Sequence, residues 1–367
     1  MAQVTVLMTV YNGARYLSDS VASVLKQTFH DFEFLIVDDG STDHSLEIIQ
    51  GFKDERIHVH RNALNIGQTR SLNVGLKLAQ GRLIARMDSD DLAYPSWLAT
   101  QVKFIEENTK YAVVSTKAAV IDNAGRVLRV LNSSAMLEEI VLKSIIASPI
   151  NHVGSLMNKE NILAQGGYDE NFQFAADFDL WSRLLRSGHY LTSTPNVGVA
   201  IRFHPHSTSV REQGKNDIRE VSRIIRENIK TFASQDVTEH EAALICKLIY
   251  NPGDFDDVQF LKIRGQLKDI YHKMQIFSRL DLCQKENIIQ KQDYLIGMKK
   301  IFDCIKNKDL ISIRHIARAY TYDDGFMNSF GLTWAISFLG HAVLGAVPRV
   351  YESYRRVNGQ LKLQGKI

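Results

Sequence analysis

Phe32-Glu33-Phe34-Leu35-Ile36-Val37-Asp38-Asp39-Gly40-Ser41-Thr42-Asp43 is the stretch that decides the fold. A short, mostly apolar run of strand length ends abruptly in two carboxylates and a Gly-Ser-Thr turn. The same grammar recurs on either side. Val4 to Thr9 is a second apolar run, and Arg82 to Met87 is a third that ends in Asp88-Ser89-Asp90-Asp91. Between these runs lie helical patterns. Ser18 to Gln27 carries Val21, Val24 and Leu25 at helical spacing, and Ser45 to Phe52 reads as a helix. Thr69 to Ala79 places Leu72, Leu76 and Ala79 on one face, with Gly81 as the expected C-cap. Ile57 to His60 supplies one more short strand. Strands alternating with helices predict a mostly parallel sheet covered on both faces. Right-handed crossovers then collect the loops after the strands at one edge, where open α/β sheets bind ligands.

Working outward, the pattern becomes mixed from Pro95. A helix from Pro95 to Asn108 leads to strands near Ala112–Ile121 and Val127–Leu131, joined by a hairpin turn at Asn123-Ala124-Gly125. A helix at Leu137–Ile146, a strand at His152–Met157, a helix at Asp177–Ser187 ended by Gly188, and a strand at Val197–Phe203 follow. From about residue 212 the apolar spacing is three and four almost throughout, predicting a helical second domain. The expected division is 1–211 for the α/β domain and 212–367 for the helical one.

Composition excludes several classes. The chain has 367 residues and a net charge of only +3, which argues against a general nucleic-acid binder. Three cysteines, Cys246, Cys283 and Cys304, lie far apart with no CxxC pair, so neither a zinc knuckle nor a disulfide framework is expected. The first eight residues read as a strand rather than a secretory signal, which predicts a cytoplasmic location. A P-loop and a GxGxxG are both absent, against a kinase, an ATPase or a Rossmann dehydrogenase.

The acids after the strands carry the chemistry. Carboxylates converging on one sheet edge repel each other and require a cation or hydrogen-bond donors. A hard metal such as Mg²⁺ or Mn²⁺ satisfies them, and such metals are usually shared with substrate phosphates. Asp43 suits a bland role, capping the helix that follows. A haloacid-dehalogenase-type phosphatase also uses a strand-end DxD, but there the motif follows the first strand and continues to Thr or Val. Here it follows the fourth, and Leu92 stands at that place.

In order and spacing these residues resemble the inverting family 2 glycosyltransferases with the GT-A fold. The resemblance rests on Thr9-Val10-Tyr11-Asn12, the helix end Ser23 to Thr28, Phe34 to Asp43, and Asn65-Ile66-Gly67. It continues through Ala85 to Asp91, Gly166-Gly167-Tyr168-Asp169 and Asp177-Phe178-Asp179-Leu180-Trp181, covering roughly residues 3 to 210. It implies an enzyme that moves a sugar from a nucleotide-diphosphate sugar, a UDP-sugar by preference, to an acceptor hydroxyl. Thr9, Tyr11, Asn12, Asp38 and Asp39 would surround the nucleoside. Asn65, Arg70 and Arg86 would meet the phosphates, Arg86 alternatively balancing the acidic cluster, while Asp88 and Ser89 would touch the ribose or metal. Asp90 would be the main metal ligand with His204 beside it, and His152 and Trp181 would line the acceptor side. The catalytic base falls on Asp177, with Asp179 the nearest rival; relatives often read Glu-Asp where this chain reads Ala176-Asp177. Two other readings stay open: a sugar nucleotidyltransferase, disfavoured by the short Tyr11-to-Arg15 loop, and a non-catalytic nucleotide-sugar-binding module.

Gly325 to Pro348 has no acidic or basic residue and is followed by Arg349, Arg355, Arg356, Lys362 and Lys366 against Glu352 alone. Its length suits a membrane, yet Asn328, Ser329, His341 and its glycines dilute its hydropathy. An interfacial helix, a core or homodimer helix, and a true span all fit, the first best. The family resemblance favours a polyprenol-linked or glycan acceptor in bacterial surface-polysaccharide synthesis, at the inner face of the cytoplasmic membrane.

Overall fold

A computed structural model describes residues 2–204, 218–250, 252–276, 280 and 282–306. The 325–348 segment and His206 lie outside the described residues.

The strands are β1 (Val4–Val10), β2 (Phe32–Asp38), β3 (Ile57–Arg61), β4 (Leu83–Asp88), β5 (Leu92–Ala93), β6 (Tyr111–Ile121), β7 (Val127–Leu131), β8 (Leu156–Asn158) and β9 (Tyr190–Arg202). They form one mixed sheet in the order β3-β2-β1-β4-β8-β6-β9-β5, with β7 paired to β6. β3, β2, β1 and β4 run parallel, as the alternating pattern predicts. Beyond β4 the direction changes: β8 is antiparallel to both β4 and β6, β9 is parallel to β6, and β5 is antiparallel to β9.

The helices of the first half are α1 (Ala14–Leu25), α2 (Ser45–Gly51), α3 (Gln68–Leu78), α4 (Trp97–Glu107), α5 (Leu137–Lys143), α6 (Lys159–Ala164) and α7 (Ala176–Arg186). Period-2 alternation explains the layering. Val4, Val6, Met8 and Val10 join Phe32, Phe34 and Ile36 in a core completed by Leu17, Val21 and Val24 of α1, Ile49 of α2, and Trp97, Leu98 and Val102 of α4. Leu7, of opposite parity, meets α3 at Gly75, where an added Cβ would lie 2.2 Å from its Cδ1. Both faces of the central strands are thus buried.

Two local expectations are corrected. The α3 helix ends at Leu78 with Ala79 as C-cap, so Gly81 is not the cap. Gly81 is needed for close approach: a Cβ there would sit 2.4 Å from Thr5 N and 2.6 Å from the Val4 carbonyl carbon. Neither backbone atom can move without disturbing β1. Gly81→Ala should therefore cost about 3 kcal/mol as an overpacked site, lowering Tm by roughly 6–12 °C; an unchanged melting curve would show that β1 yields there. The last strand of the half begins at Tyr190 rather than Val197. Pro195 and Asn196 form a bulge, because Thr116 pairs with Thr194 and Lys117 with Val197. Proline cannot donate to the ladder and is tolerated at such a break. Gly188 does terminate its helix: at φ +83° it donates to Leu185 O, and His189 N donates to Leu184 O, a left-handed C-terminal turn.

The rest of the described chain is helical: α8 (Ile218–Ala233), α9 (Glu239–Tyr250), a 3₁₀ turn (Pro252–Asp254), α10 (Asp257–Lys273) and α11 (Leu282–Lys306). By compactness the chain forms two units. One comprises Met1–Cys246 with Asp269–Leu282, and holds the whole sheet and α8. The other comprises Lys247–Lys268 with Cys283–Ile367. Within the second, Arg264 forks onto the buried carboxylate of Asp293, and Lys268 Nζ lies 3.6 Å from it. No helix among the described residues is long and apolar enough to cross a membrane.

Candidate active site

The strand order reverses around β1, and this sets the site. β1 pairs with β2 on one side and β4 on the other, with Val10 opposite Asp38 and Thr9 opposite Asp88. The C-terminal ends of three neighbouring strands therefore bring Thr9, Asp38 and Asp88 to one edge, at the position where an open sheet leaves a crevice.

The β2 end is tied down by its own carboxylates. Asp38 is fully buried; its Oδ1 accepts from Ser41 N at 3.0 Å, and its Oδ2 lies 3.2 Å from Arg61 Nε. Asp39, also buried, accepts from Ile66 N and Gly67 N at 2.9 Å and from Asn62 Nδ2 at 2.8 Å. Asp39 thus shapes the loop that carries Asn65, which is itself exposed. Gly40, at φ +73°, lets this loop approach, since a Cβ there would lie 2.7 Å from the Leu64 carbonyl carbon. Asn12 bridges the loops after β1 and β2: its Oδ1 accepts from Thr42 N at 2.8 Å and Asp43 N at 3.3 Å. Asp43 accepts from Ser45 N at the head of α2 and also from Ala14 N at the head of α1. Tyr11 stands half exposed beside them. Arg70 lies 3.4 Å from Glu170 across the surface.

The β4 end is the acidic centre. Arg86 is fully buried, its guanidinium taken up by the Asp88 carboxylate and the Met87 carbonyl. That is the charge-balancing role the sequence allowed it. Oxygen atoms of Asp88, Asp90 and Asp91 all lie within 4.8 Å of one another. Asp90 Oδ2 is 2.9 Å from His204 Nε2, and the His204 ring packs 5.1 Å from that of Tyr16. Burial, then the charge of Asp88, pushes the Asp90 carboxyl above its ordinary range, against the His204 contact, which lowers it. Asp91 is pushed well above by burial and then by Asp90 and Asp88. Three crowded carboxylates, only one of them paired with a guanidinium among the described residues, suit a hard divalent cation, whose charge would relieve both shifts. Asp90 and Asp88, each about one-third exposed, are the accessible ligands with His204 beside them. Ser89 sits at the same turn, its Oγ 3.2 Å from where a Gly13 Cβ would stand.

Arg202 is a residue the sequence did not single out. Its backbone N–H donates to Asp91 Oδ1 at 2.8 Å and its Nε to the Asp90 carbonyl at 3.0 Å. Its Nη1 reaches the Asp122 and Asn123 carbonyls at 3.3 Å, and its guanidinium lies over Tyr16, 4.5 Å from the centroid. One buried side chain therefore braces the acidic turn against the β6–β7 hairpin. Its only sequence signal was a cation two residues before His204.

Asp177 lies in the first turn of α7. Its Oδ2 accepts from Ser148 Oγ at 3.1 Å. Burial pushes its carboxyl up, hydrogen bonds from the Phe178 N–H and Ser148 offset part of that, and the Asp88 charge adds to the rise. Asp179, its rival, is instead paired: Arg183 Nε donates to it at 2.8 Å. His152 Nε2 is 2.8 Å from Tyr168 Oη, and the His152 ring meets Trp181 edge-on at 5.9 Å. Burial, then the Arg86 charge, holds His152 well below its ordinary range, which favours the neutral imidazole. Trp181 is fully buried, a wall behind His152.

Comparison with known proteins places this edge in a family. The profile described as "Glycosyl transferase family 2" matches residues 5–162. A putative glycosyltransferase, EpsE, of Bacillus subtilis is 33% identical over 193 residues, 51% of this chain and 68% of that protein. An uncharacterised glycosyltransferase of Haemophilus influenzae is 28% identical over 245 residues, 63% of this chain and 75% of the relative. Among solved structures, S. aureus TarS 1-349 in complex with UDP-GlcNAc superposes with a TM-score of 0.55 at 16% identity, covering 88% of this chain and 92% of that one. That likeness is one of fold, the mixed GT-A sheet. A sheet edge lined by Thr9, Asp38, Asp88 and Asp90, together with these matches, makes the chain a member of the family 2 glycosyltransferases.

Proposed function

We propose that the enzyme transfers a sugar from a nucleoside-diphosphate sugar to an acceptor hydroxyl with inversion, Asp177 acting as the base. One observation carries this reading. The Asp177 carboxylate is hydrogen-bonded by a neutral hydroxyl, that of Ser148, and its carboxyl is pushed up, whereas its neighbours Asp88 and Asp179 are paired with the guanidinium groups of Arg86 and Arg183. A partly desolvated carboxylate that is not paired with a cation is the better proton acceptor at neutral pH.

Thr9, Tyr11 and Asp38 then hold the nucleoside at the ends of β1 and β2, with Asn12 and Asp39 fixing the loops around it. Asn65 and Arg70 lie on the loop and helix that face the diphosphate. Asp88, held by Arg86, and Ser89 meet the ribose side. Asp90 and His204 would hold Mn²⁺ or Mg²⁺, which when bound neutralises the charge developing on the leaving diphosphate. Asp177, with Ser148 fixing one oxygen, takes the acceptor proton through the other. His152 and Trp181 wall the acceptor side. Displacement by one base inverts the anomeric carbon.

The donor is a UDP-sugar on this reading. The acceptor is a glycan or polyprenol-linked sugar in bacterial polysaccharide or glycolipid synthesis, at the inner face of the cytoplasmic membrane. The α/β catalytic domain runs to about residue 211, and the helical domain after it includes a segment for membrane contact or dimerisation at 325–348. The test is a nucleotide-release screen over UDP-, GDP- and dTDP-sugars with Mn²⁺ and with EDTA. Turnover with a UDP-sugar that EDTA abolishes is expected. No release from any donor and no nucleotide binding would sink the reading. Pyrophosphate release from a sugar phosphate and a nucleoside triphosphate would replace it with nucleotidyl transfer.

A further inference from the structure

The helix that carries Asp177 starts without a cap of its own. Ala175 is the N-cap of α7 and has no side-chain oxygen to offer the orphan N–H groups. The turn that leads into the helix is instead held from far along the chain. Glu220, in the first turn of α8, accepts from three consecutive backbone N–H groups: Oε1 from Gln173 at 2.9 Å, Oε2 from Phe174 at 3.1 Å and Ala175 at 3.0 Å. One turn on, the Arg223 guanidinium lies 5.5 Å from the ring centroid of buried Phe172.

The other end of α8 grips what faces Asp177. Asn228 Nδ2 donates to Ser144 O at 2.7 Å and to Ser182 Oγ at 2.9 Å, and its Oδ1 accepts from Arg186 at 2.6 Å. Ser144 begins the short stretch that leads to Ser148, the hydroxyl on Asp177. A single helix therefore holds the turn leading into α7 through Glu220, and through Asn228 it holds both the body of α7 and the segment opposite. Glu220 and Asn228 are eight residues apart, roughly 12 Å along the axis. The opposite side of the loop is pinned by α3: Asn73 accepts from Tyr168 N and donates to Tyr168 O, and Thr69 Oγ1 donates to Phe172 O.

We propose that Glu220 is a positioning residue for the transfer reaction, fixing the 173–175 turn so that Asp177 meets the acceptor hydroxyl. The proposal rests on Asp177 as the base. Asp177 also accepts from the Phe178 N–H of its own first turn. Releasing that turn therefore rotates the carboxylate's own anchors, and small misplacements of a reacting group are expensive in rate. The donor contacts at β1, β2 and β4 do not involve α8, so donor binding is spared.

The experiment compares Glu220→Ala and Glu220→Gln with the parent full-length chain. Nucleotide release with Mn²⁺ is measured on the UDP-sugar that turns over best, and UDP–Mn²⁺ binding is measured separately. Glu220→Ala is expected to lose about 10–100-fold in kcat with UDP affinity within about twofold. Glu220→Gln, whose one amide oxygen can still accept, should fall between. The acid limb of kcat should move to lower pH in Glu220→Ala, because a loosened turn lets more water reach Asp177 and burial is the main cause of its raised carboxyl. Amide exchange at residues 173–175 should rise in the same variant whatever the donor. Equal kcat in both variants, an unmoved acid limb, or unchanged amide exchange would each overturn the proposal. Lower stability with an unaltered kcat per folded molecule would mean that Glu220 is only a structural cap. If Asp177→Asn turned over normally, the base assignment itself would fail, independently of Glu220.

Discussion

Asp177→Asn should reduce transfer by about 10³-fold while leaving nucleotide binding intact, within the 10²–10⁴ range expected for removing a general base. The substitution keeps shape. An asparagine carbonyl can still accept from Ser148 Oγ, so the local hydrogen bond survives and the loss isolates basicity. The pH profile supplies a second readout. Asp177 is active only when ionised, and burial raises its carboxyl above the ordinary range. Parent activity should therefore fall on acidification at a pH above that of a free aspartate, while Asp177→Asn shows a flat, low profile over the same limb. Asp179→Asn tests the rival: paired with Arg183, Asp179 is expected to affect stability and not the acid limb. Full turnover by Asp177→Asn would return the base role to that neighbour or to a group on the acceptor.

How much of this was readable beforehand follows from the range of the interactions. The strands β1, β2 and β4 are legible because burial of both faces writes continuous apolar runs, and the acids that break them mark the functional edge. α7 is legible through its helical spacing and Gly188. β5 is two residues long and exists only because Leu92 and Ala93 pair with Ala200 and Val199, more than one hundred positions away. The first half of β9 was hidden by Pro195, which locally argues against a strand and is accommodated by a bulge. Arg86 and Arg202 are both cations near the end of a strand. The fold alone decides that one is sealed beneath Asp88 and the other clamps the turn from Asp90 to the hairpin. Glu220 gave no local signal, since its three partners lie 45 to 47 positions earlier. The positions proposed to meet ligand are thus singled out by residue type and place in the chain, whereas those that hold them in place depend on tertiary contacts.

The acidic cluster should show the opposite balance between activity and stability. Asp90→Asn is expected to lower metal-dependent turnover by about 10³-fold, the loss of several kcal/mol of charge stabilisation on the leaving group. Its fold should not suffer. In the folded chain Asp90 is pushed up by burial and by Asp88, so at neutral pH its ionisation favours the unfolded state. A carboxyl raised in this way costs stability as pH climbs from its unfolded range through its folded one. Replacing it with a neutral amide removes that cost and relieves Asp91, which Asp90 also pushes up. Melting without metal should therefore occur at the same temperature as the parent or higher. With Mn²⁺ at 100 times its dissociation constant the parent gains about 2.7 kcal/mol, and Asp90→Asn should gain little. Thermal melts of both proteins with Mn²⁺ and with EDTA, run beside nucleotide release, separate the two effects. An Asp90→Asn protein that melts lower than the parent in EDTA would show that the carboxylate is structural. One that keeps the Mn²⁺ shift would move the metal to Asp88 and Asp91. The expected pattern, a more stable and inactive variant, is the signature of charges kept together for a ligand rather than for the fold.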